Sequence, residues 1–249
     1  MRLSPSAPAF GDGGPVLVVS PHLDDAVMSC GCLIATLSRR RAVTVATLFA
    51  GRPRGAPPAL TEWDRAAGFA PGRDAVGARR GEDRAALAVL GAEHRWLPFA
   101  DSQYGDSPRS AAIARRIDAL TAARLPWDAV VFPLGLFHSD HRLAHEAVLL
   151  LLRRTPSCRN WIAYEDVPYR RLPGLAEAAL RRLRRAGLAP RGARISADGA
   201  ARRRKARALA CYRSQLTALA TPGRLGHADA WTEEGYWLLR APSNGGRPR

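Results

Sequence analysis

Pro15-Val16-Leu17-Val18-Val19-Ser20-Pro21-His22-Leu23-Asp24-Asp25-Ala26 is the stretch on which the reading of this chain turns. Its first five residues are apolar and mostly β-branched, which predicts a short strand buried on both faces. Residues 27–37 follow with helical character, so His22, Asp24 and Asp25 fall on a strand-to-helix turn. In an open α/β sheet, such turns at the carboxyl ends of strands line the crevice where ligands bind. One imidazole and two carboxylates crowded into four residues desolvate and repel one another unless a cation or a substrate proton accounts for them. The segment is therefore a candidate metal site.

Working outward, the same alternation recurs. Residues 42–49, 96–99, 127–134, 161–165 and 236–239 have the β-branched and aromatic content of strands. Residues 78–90, 108–120, 143–152, 175–183 and 200–219 have helical patterning, with Gly91 as a stop signal and Pro108 in a tolerated first-turn position. The expectation is an α/β fold: a single domain over residues 1–249, with a mostly parallel, Rossmann-like sheet flanked by helices. Residues 1–14 and 243–249 read as flexible ends. Residues 51–77 form a connection too long for a simple βα loop, and Glu62, Trp63, Asp64 and Phe69 in it are candidates to face a substrate.

Composition narrows the function. The chain has 249 residues, 47% hydrophobic and 24% charged, an ordinary globular balance that excludes wholesale disorder. No window reaches the roughly 18 apolar residues of a membrane span, and no basic-then-apolar leader opens the sequence. The net charge of +16 raises the question of nucleic acid. Lys205 is the sole lysine, however, so the charge is nearly all arginine and fits a general Arg-Ala-Gly-Pro bias. The one concentration, residues 181–205 with Arg202-Arg203-Arg204-Lys205, has few aromatic residues to stack bases and reads as an exposed helical face or a patch for an acidic partner. Cys30, Cys32, Cys158 and Cys211 show no C-x-x-C spacing and read as buried, reduced thiols of a cytoplasmic protein.

The chemistry lies in a second turn. His138-Ser139-Asp140-His141 follows the strand at 127–134 and precedes a helix, so it opens on the same sheet edge as His22. Four of the chain's six histidines, His22, His138, His141 and His145, lie in or beside these two turns. Catalytic zinc takes three His or carboxylate ligands and keeps an open position. His22, Asp25 and His141 supply that set. Asp24 then suits a general base, and His138 an acid or oxyanion stabiliser. Asp140 is expected to orient His138 and to favour its imidazolium. His145, four residues after His141, has the weakest case and reads as packed on the same helix face. No H-E-x-x-H zincin motif and no G-x-G-x-x-G nucleotide loop is present.

The two turns together resemble the PIG-L or LmbE-like zinc N-deacetylase family, whose motifs are H-P-D-D-E and a later H-x-D-H. The resemblance covers most of residues 15–220. It implies zinc on His22, Asp25 and His141, Asp24 as base and His138 as acid or stabiliser. It further implicates Arg79, from Arg79-Arg80-Gly81-Glu82, and Asp101, from Asp101-Ser102, in substrate binding. Tyr212, Ser214 and Gln215 match a late architectural helix. Ala26, Leu23 and Ser139 depart from the family pattern without removing a ligand, and Leu136 stands where the mycothiol branch has Tyr. Pro21-His22-Leu23-Asp24-Asp25-Ala26, with Tyr164 to Tyr169, is more similar to natural-product deacetylases. The implied activity is removal of an N-acetyl group from an amino sugar in a small-molecule glycoside or antibiotic precursor. Zinc is the implied cofactor, with iron(II) as the alternative metal. The other readings are an N-acyl amide hydrolase on a non-sugar substrate and a basic nucleic-acid-binding protein with a degenerate site.

Overall fold

The computed structural model describes residues 2–3, 13–53, 60–105, 107–121, 127–154, 158, 160–195 and 197–240. The tail at 243–249 and most of 1–14 lie outside them, as do residues 54–59 of the long connection. The strands are Arg2–Leu3 (β1), Val16–Ser20 (β2), Val43–Thr47 (β3), Glu93–Trp96 (β4), Ala129–Pro133 (β5), Asn160–Tyr164 (β6), Ala189–Ile195 (β7) and Gly235–Arg240 (β8). The helices are Asp25–Leu37 (α1), Glu62–Ala66 (α2), Ala75–Leu90 (α3), Ser110–Thr121 (α4), Ser139–Leu152 (α5), Leu175–Arg185 (α6), Gly199–Leu209 (α7) and Arg213–Leu219 (α8).

All eight strands join one sheet in the order β1-β7-β8-β6-β5-β2-β3-β4. β2 to β6 run parallel, and β8 is antiparallel to both β6 and β7. β2, β3 and β5 are buried at every residue, as central strands covered on both faces must be. The alternation of β2 divides its side chains between two cores. Val16 and Val18 meet α1, α3 and α7 on one face; Leu17 and Val19 meet α4, α5 and α6 on the other.

Chain order sets the site. From β2 the chain moves outward to β3 and β4, then returns to the other side of β2 as β5 and goes on to β6. The order reverses between β2 and β5, which is where an open α/β sheet leaves its crevice. Both His/Asp turns leave these two strands, so the geometric expectation is met.

Three expectations about elements are corrected. The third strand is residues 93–96 rather than 96–99: as an edge strand it is half-exposed and carries His94 and Arg95, so it lacks an apolar run. The expected helix 200–219 is two helices, with the break at Tyr212, whose hydroxyl donates to the buried Asp83 carboxylate at 2.8 Å. Residues 181–205 are not simply an exposed basic face. Lys205 is buried and pairs with Glu234 at 2.8 Å, while Arg204 donates to Ala35 O and Val89 O near the ends of α1 and α3. Glu234 also accepts from Cys32 N, Leu33 N and the Tyr236 hydroxyl, so its buried carboxylate has four donors. Cys30, Cys32 and Cys158 are buried free thiols, and Cys211 is half-buried. Among the described residues, no helix is long and apolar enough to cross a membrane.

Candidate metal centre

The first turn is closed by its own side chains. Ser20 Oγ donates to His22 O at 2.6 Å and accepts from Ala26 N at 3.0 Å. The Asp24 carbonyl takes the first amides of α1, while its side chain makes no capping bond. Asp25 sits in the first helical turn, where the helix dipole favours a negative charge, and its Oδ2 accepts from His22 N at 2.8 Å.

The second turn needs Gly135, whose φ is +76° and whose added Cβ would lie 2.8 Å from His145 Cβ. His138 follows as N-cap of α5, its Nδ1 accepting from Asp140 N at 3.2 Å. That bond leaves the imidazole proton on Nε2 when the ring is neutral.

The two turns converge on one oxygen. Asp25 Oδ2 lies 3.1 Å from His22 Nδ1 and 3.2 Å from His141 Nε2. These ligand atoms lie within 4.8 Å of one another. Each imidazole is backed by a further carboxylate: His141 Nδ1 by Asp166 at 2.6 Å, and His22 Nε2 by Asp140 at 3.0 Å. Two imidazole nitrogens and a carboxylate oxygen, with the other ring nitrogens fixed by acids, are the donor set and outer support of a catalytic zinc site. His22, His138 and Asp140 form a second, overlapping group. It shares His22 with the first, so the two are alternatives for one ion.

Charge balance supports the fit. Burial alone would push both imidazoles down, yet Asp101, Asp140 and Asp25 hold His22 well above the usual range. Asp25 and Asp166 likewise bring His141 up to about 9. Burial opposes ionisation of Asp25, but His141 and His22 keep it well below the ordinary carboxylate range. Burial and then Asp25 push Asp24 up to about 7. A cluster that draws protons onto two imidazoles offers a divalent cation those same nitrogens.

The sequence-predicted residues are accounted for as follows. His22, Asp24, Asp25, His138 and His141 line one cavity of about 530 Å³, together with Arg79 and Asp101. Arg79, from α3, bonds to Asp64 and lies 3.3 Å from the Tyr104 hydroxyl, so it is a braced wall rather than a free arm. Its buried Nε has no partner. Asp101 accepts from Gln103 N and Nε2, with Oδ1 3.9 Å from His22 Nε2. In the long connection, Trp63 lines the cavity and Asp64 holds Arg79. His145 is structural, bonded to Pro133 O at 2.9 Å.

Two roles change. The Asp140 carboxylate serves His22, and only its backbone amide meets His138. Asp140 does favour the His138 imidazolium by its charge, as expected, but burial, His22 and His141 outweigh it and push the ring down to about 4. Asp166 was not singled out from the sequence. Its only signal is an acidic residue just past the end of β6, on the site's edge. It also accepts from Leu136 N at 3.2 Å, tying the start and the end of the second turn to that strand.

Fold and centre define a class: an open, mostly parallel α/β protein with a His-Asp-His cluster that could hold a cation at the switch point of its sheet. The chain belongs to the PIG-L family, whose model, described as GlcNAc-PI de-N-acetylase, matches residues 17–152. It is 33% identical over 171 residues to a 2'-N-acetylparomamine deacetylase of Streptomyces fradiae, a match that takes in 63% of this chain and 58% of that relative. It is also similar to the crystal structure of the A40926 pseudoaglycone deacetylase, at 30% identity and a TM-score of 0.75 over 92% of this chain and 98% of the other. A teicoplanin deacetylase in its zinc-inhibited form shares the fold, with a TM-score of 0.78 and 24% identity over 93% of this chain and 100% of the other.

Proposed function

We propose that the protein is a zinc-dependent N-deacetylase, a single catalytic domain over residues 1–249, acting on an N-acetylated amino sugar within a glycosylated natural product. The observation that carries this is the Asp25 carboxylate set between His22 and His141, with Asp24 beside it in the same cavity. The relatives named above are deacetylases, which points the same way. Four unpaired thiols fit a reducing, cytoplasmic setting.

His22, Asp25 and His141 hold the metal in this reading, and zinc so held supplies Lewis acidity towards a carbonyl oxygen and acidifies water. Iron(II) fits the same donors. Asp24, raised to about 7, takes the proton of the water that attacks the acetamide carbon. His138, neutral and protonated on Nε2, donates a hydrogen bond to the developing oxyanion, and Asp24 passes the proton it took from water to the departing amine as the C–N bond breaks. Acetate and a free amino sugar leave. Arg79 and Asp101 contact the sugar from the cavity wall.

Acetate release from an N-acetylglucosaminyl glycoside by zinc-loaded protein is the test. Loss of release in Asp24→Asn with zinc content retained supports the assignment; full activity in that variant would falsify it.

A further inference from the structure

Phe137 is held in an unfavourable position twice over. Its φ is +53°, the one positive value at a non-glycine among the described residues. Leu136 O accepts from His138 N across it at 2.7 Å, which makes it the centre of the strained, positive-φ type of γ-turn. Such a backbone is strained and persists where the surroundings impose it, often at a ligand clamp. The ring itself is 56% exposed, so burial does not repay the strain.

What the strained turn achieves is placement. The Phe137 ring stacks on Tyr169 at 5.3 Å and 30°, and Tyr169 stands edge-on to His141 at 5.2 Å. An aromatic wall therefore runs without a gap from a proposed metal ligand to solvent. Phe137 and Tyr169 line the cavity with Leu172, Leu219 and Leu225, and Leu225 is 36% exposed. With the solvent-exposed Phe137 ring at its outer end, this wall extends apolar surface past the centre towards the mouth of the cavity. Arg224 also lines the cavity, lying over the Trp63 ring at 4.6 Å and paired with Glu62 at 2.9 Å.

We propose that the outer cavity is an aglycone subsite in which Phe137 is the specificity-determining residue: the substrate is an acetamido sugar joined to an apolar aglycone that packs on the Phe137 ring. This rests on the deacetylase reading, which it deepens.

The experiment compares N-acetylglucosamine, phenyl N-acetyl-β-glucosaminide and 2'-N-acetylparomamine as substrates of the zinc-loaded protein. The phenyl glycoside is expected to exceed the free sugar by about tenfold in kcat/KM, chiefly through KM, the size of one aromatic contact. 2'-N-acetylparomamine, whose aglycone is a polar aminocyclitol, is expected to stay close to the free sugar. Phe137→Ala brings the phenyl-to-free ratio towards one, and Phe137→Tyr keeps it. Phe137→Gly, which adopts a positive φ without strain, loses the ratio while its Tm stays at or above that of the parent. A preference for 2'-N-acetylparomamine, or a phenyl preference that survives Phe137→Ala and Phe137→Gly, overturns the proposal. Should no substrate release acetate, the deacetylase reading fails. Calorimetric binding of the phenyl glycoside then decides the subsite: binding about tenfold weaker in Phe137→Gly supports it, and equal or no binding overturns it.

Discussion

Two buried acidic clusters lie on either side of α1, and they are completed differently. At Glu234, one carboxylate meets a lysine, two backbone amides and a tyrosine hydroxyl. At the sheet edge, Asp24, Asp25 and Asp140 share His22, His138 and His141, and the buried Asp140 Oδ1 has no partner. The first cluster is closed by the chain's own groups and reads as architecture. The second is left with more acid than the chain neutralises, beside a cavity, and that shortfall is what marks it as the place for a cation and a substrate.

The contrast is broken most directly at the cavity. Asp24→Asn should lower kcat for acetate release by about 10²–10⁴-fold with zinc retained on metal analysis. His141→Ala should lose both zinc and activity, and chelation followed by zinc should silence and then restore the unmodified protein. If instead Glu234→Gln abolished activity while leaving Tm unchanged, the division of labour would be wrong.

At the closed cluster the effect belongs to stability. Lys205→Met leaves the buried Glu234 carboxylate with three donors but no cation, and should cost up to about 3–5 kcal/mol in denaturant unfolding. Lys205→Met with Glu234→Gln should cost less than Lys205→Met alone. Additive losses would mean the two groups do not act as a pair.

A smaller effect sharpens the role of the outer acids. Asp166→Asn keeps the shape but weakens the support of His141, and zinc affinity should fall by about 10–100-fold, read by competition with a chromogenic chelator. An unchanged affinity would reduce Asp166 to a brace of the second turn.

Asp83 gives the mildest test, because it stands between the two extremes. It accepts from Trp96 Nε1 at 2.7 Å and the Tyr212 hydroxyl at 2.8 Å, and no cation bonds to it. Burial outweighs both donors and pushes it up to about 7. The folded chain therefore holds a proton that the unfolded chain releases near the ordinary carboxylate value. Its contribution to stability is fully present below about pH 4 and lost as the pH rises towards 7. Asp83→Asn should flatten that part of the pH–stability curve, and an unaltered slope would place the titration elsewhere.

How much of this was legible in the sequence depends on the kind of signal. β2, β3 and β5 are buried on both faces, and burial of that kind writes itself as a run of Val, Leu and Ala. β7 does not, because Ala189-Pro190-Arg191-Gly192-Ala193-Arg194-Ile195 has a Pro and a Gly inside it and one β-branched residue; it is a strand through pairing with β8 and β1. The two His/Asp turns were legible because rare residue types recur at one kind of position. The assignment of each acid to its partner was not, since that depends on which way a side chain leaves its turn. Asp140 lies two residues from His138 and yet turns its carboxylate to His22, 118 residues away in the chain. The strained Phe137 turn is likewise invisible, as nothing in Gly135-Leu136-Phe137-His138 demands a positive φ at Phe137.

The burial of Lys205 also has a practical side. It is the sole lysine, its stem lies against Gly31, where an added Cβ would come within 2.6 Å of it, and its amine is turned inward to Glu234. In the folded protein an amine-directed reagent finds no accessible lysine side chain. Each lysine that does react reports an opening of the region between α1, α7 and β8, so the rate of acylation at that single residue clocks local unfolding without any engineered label.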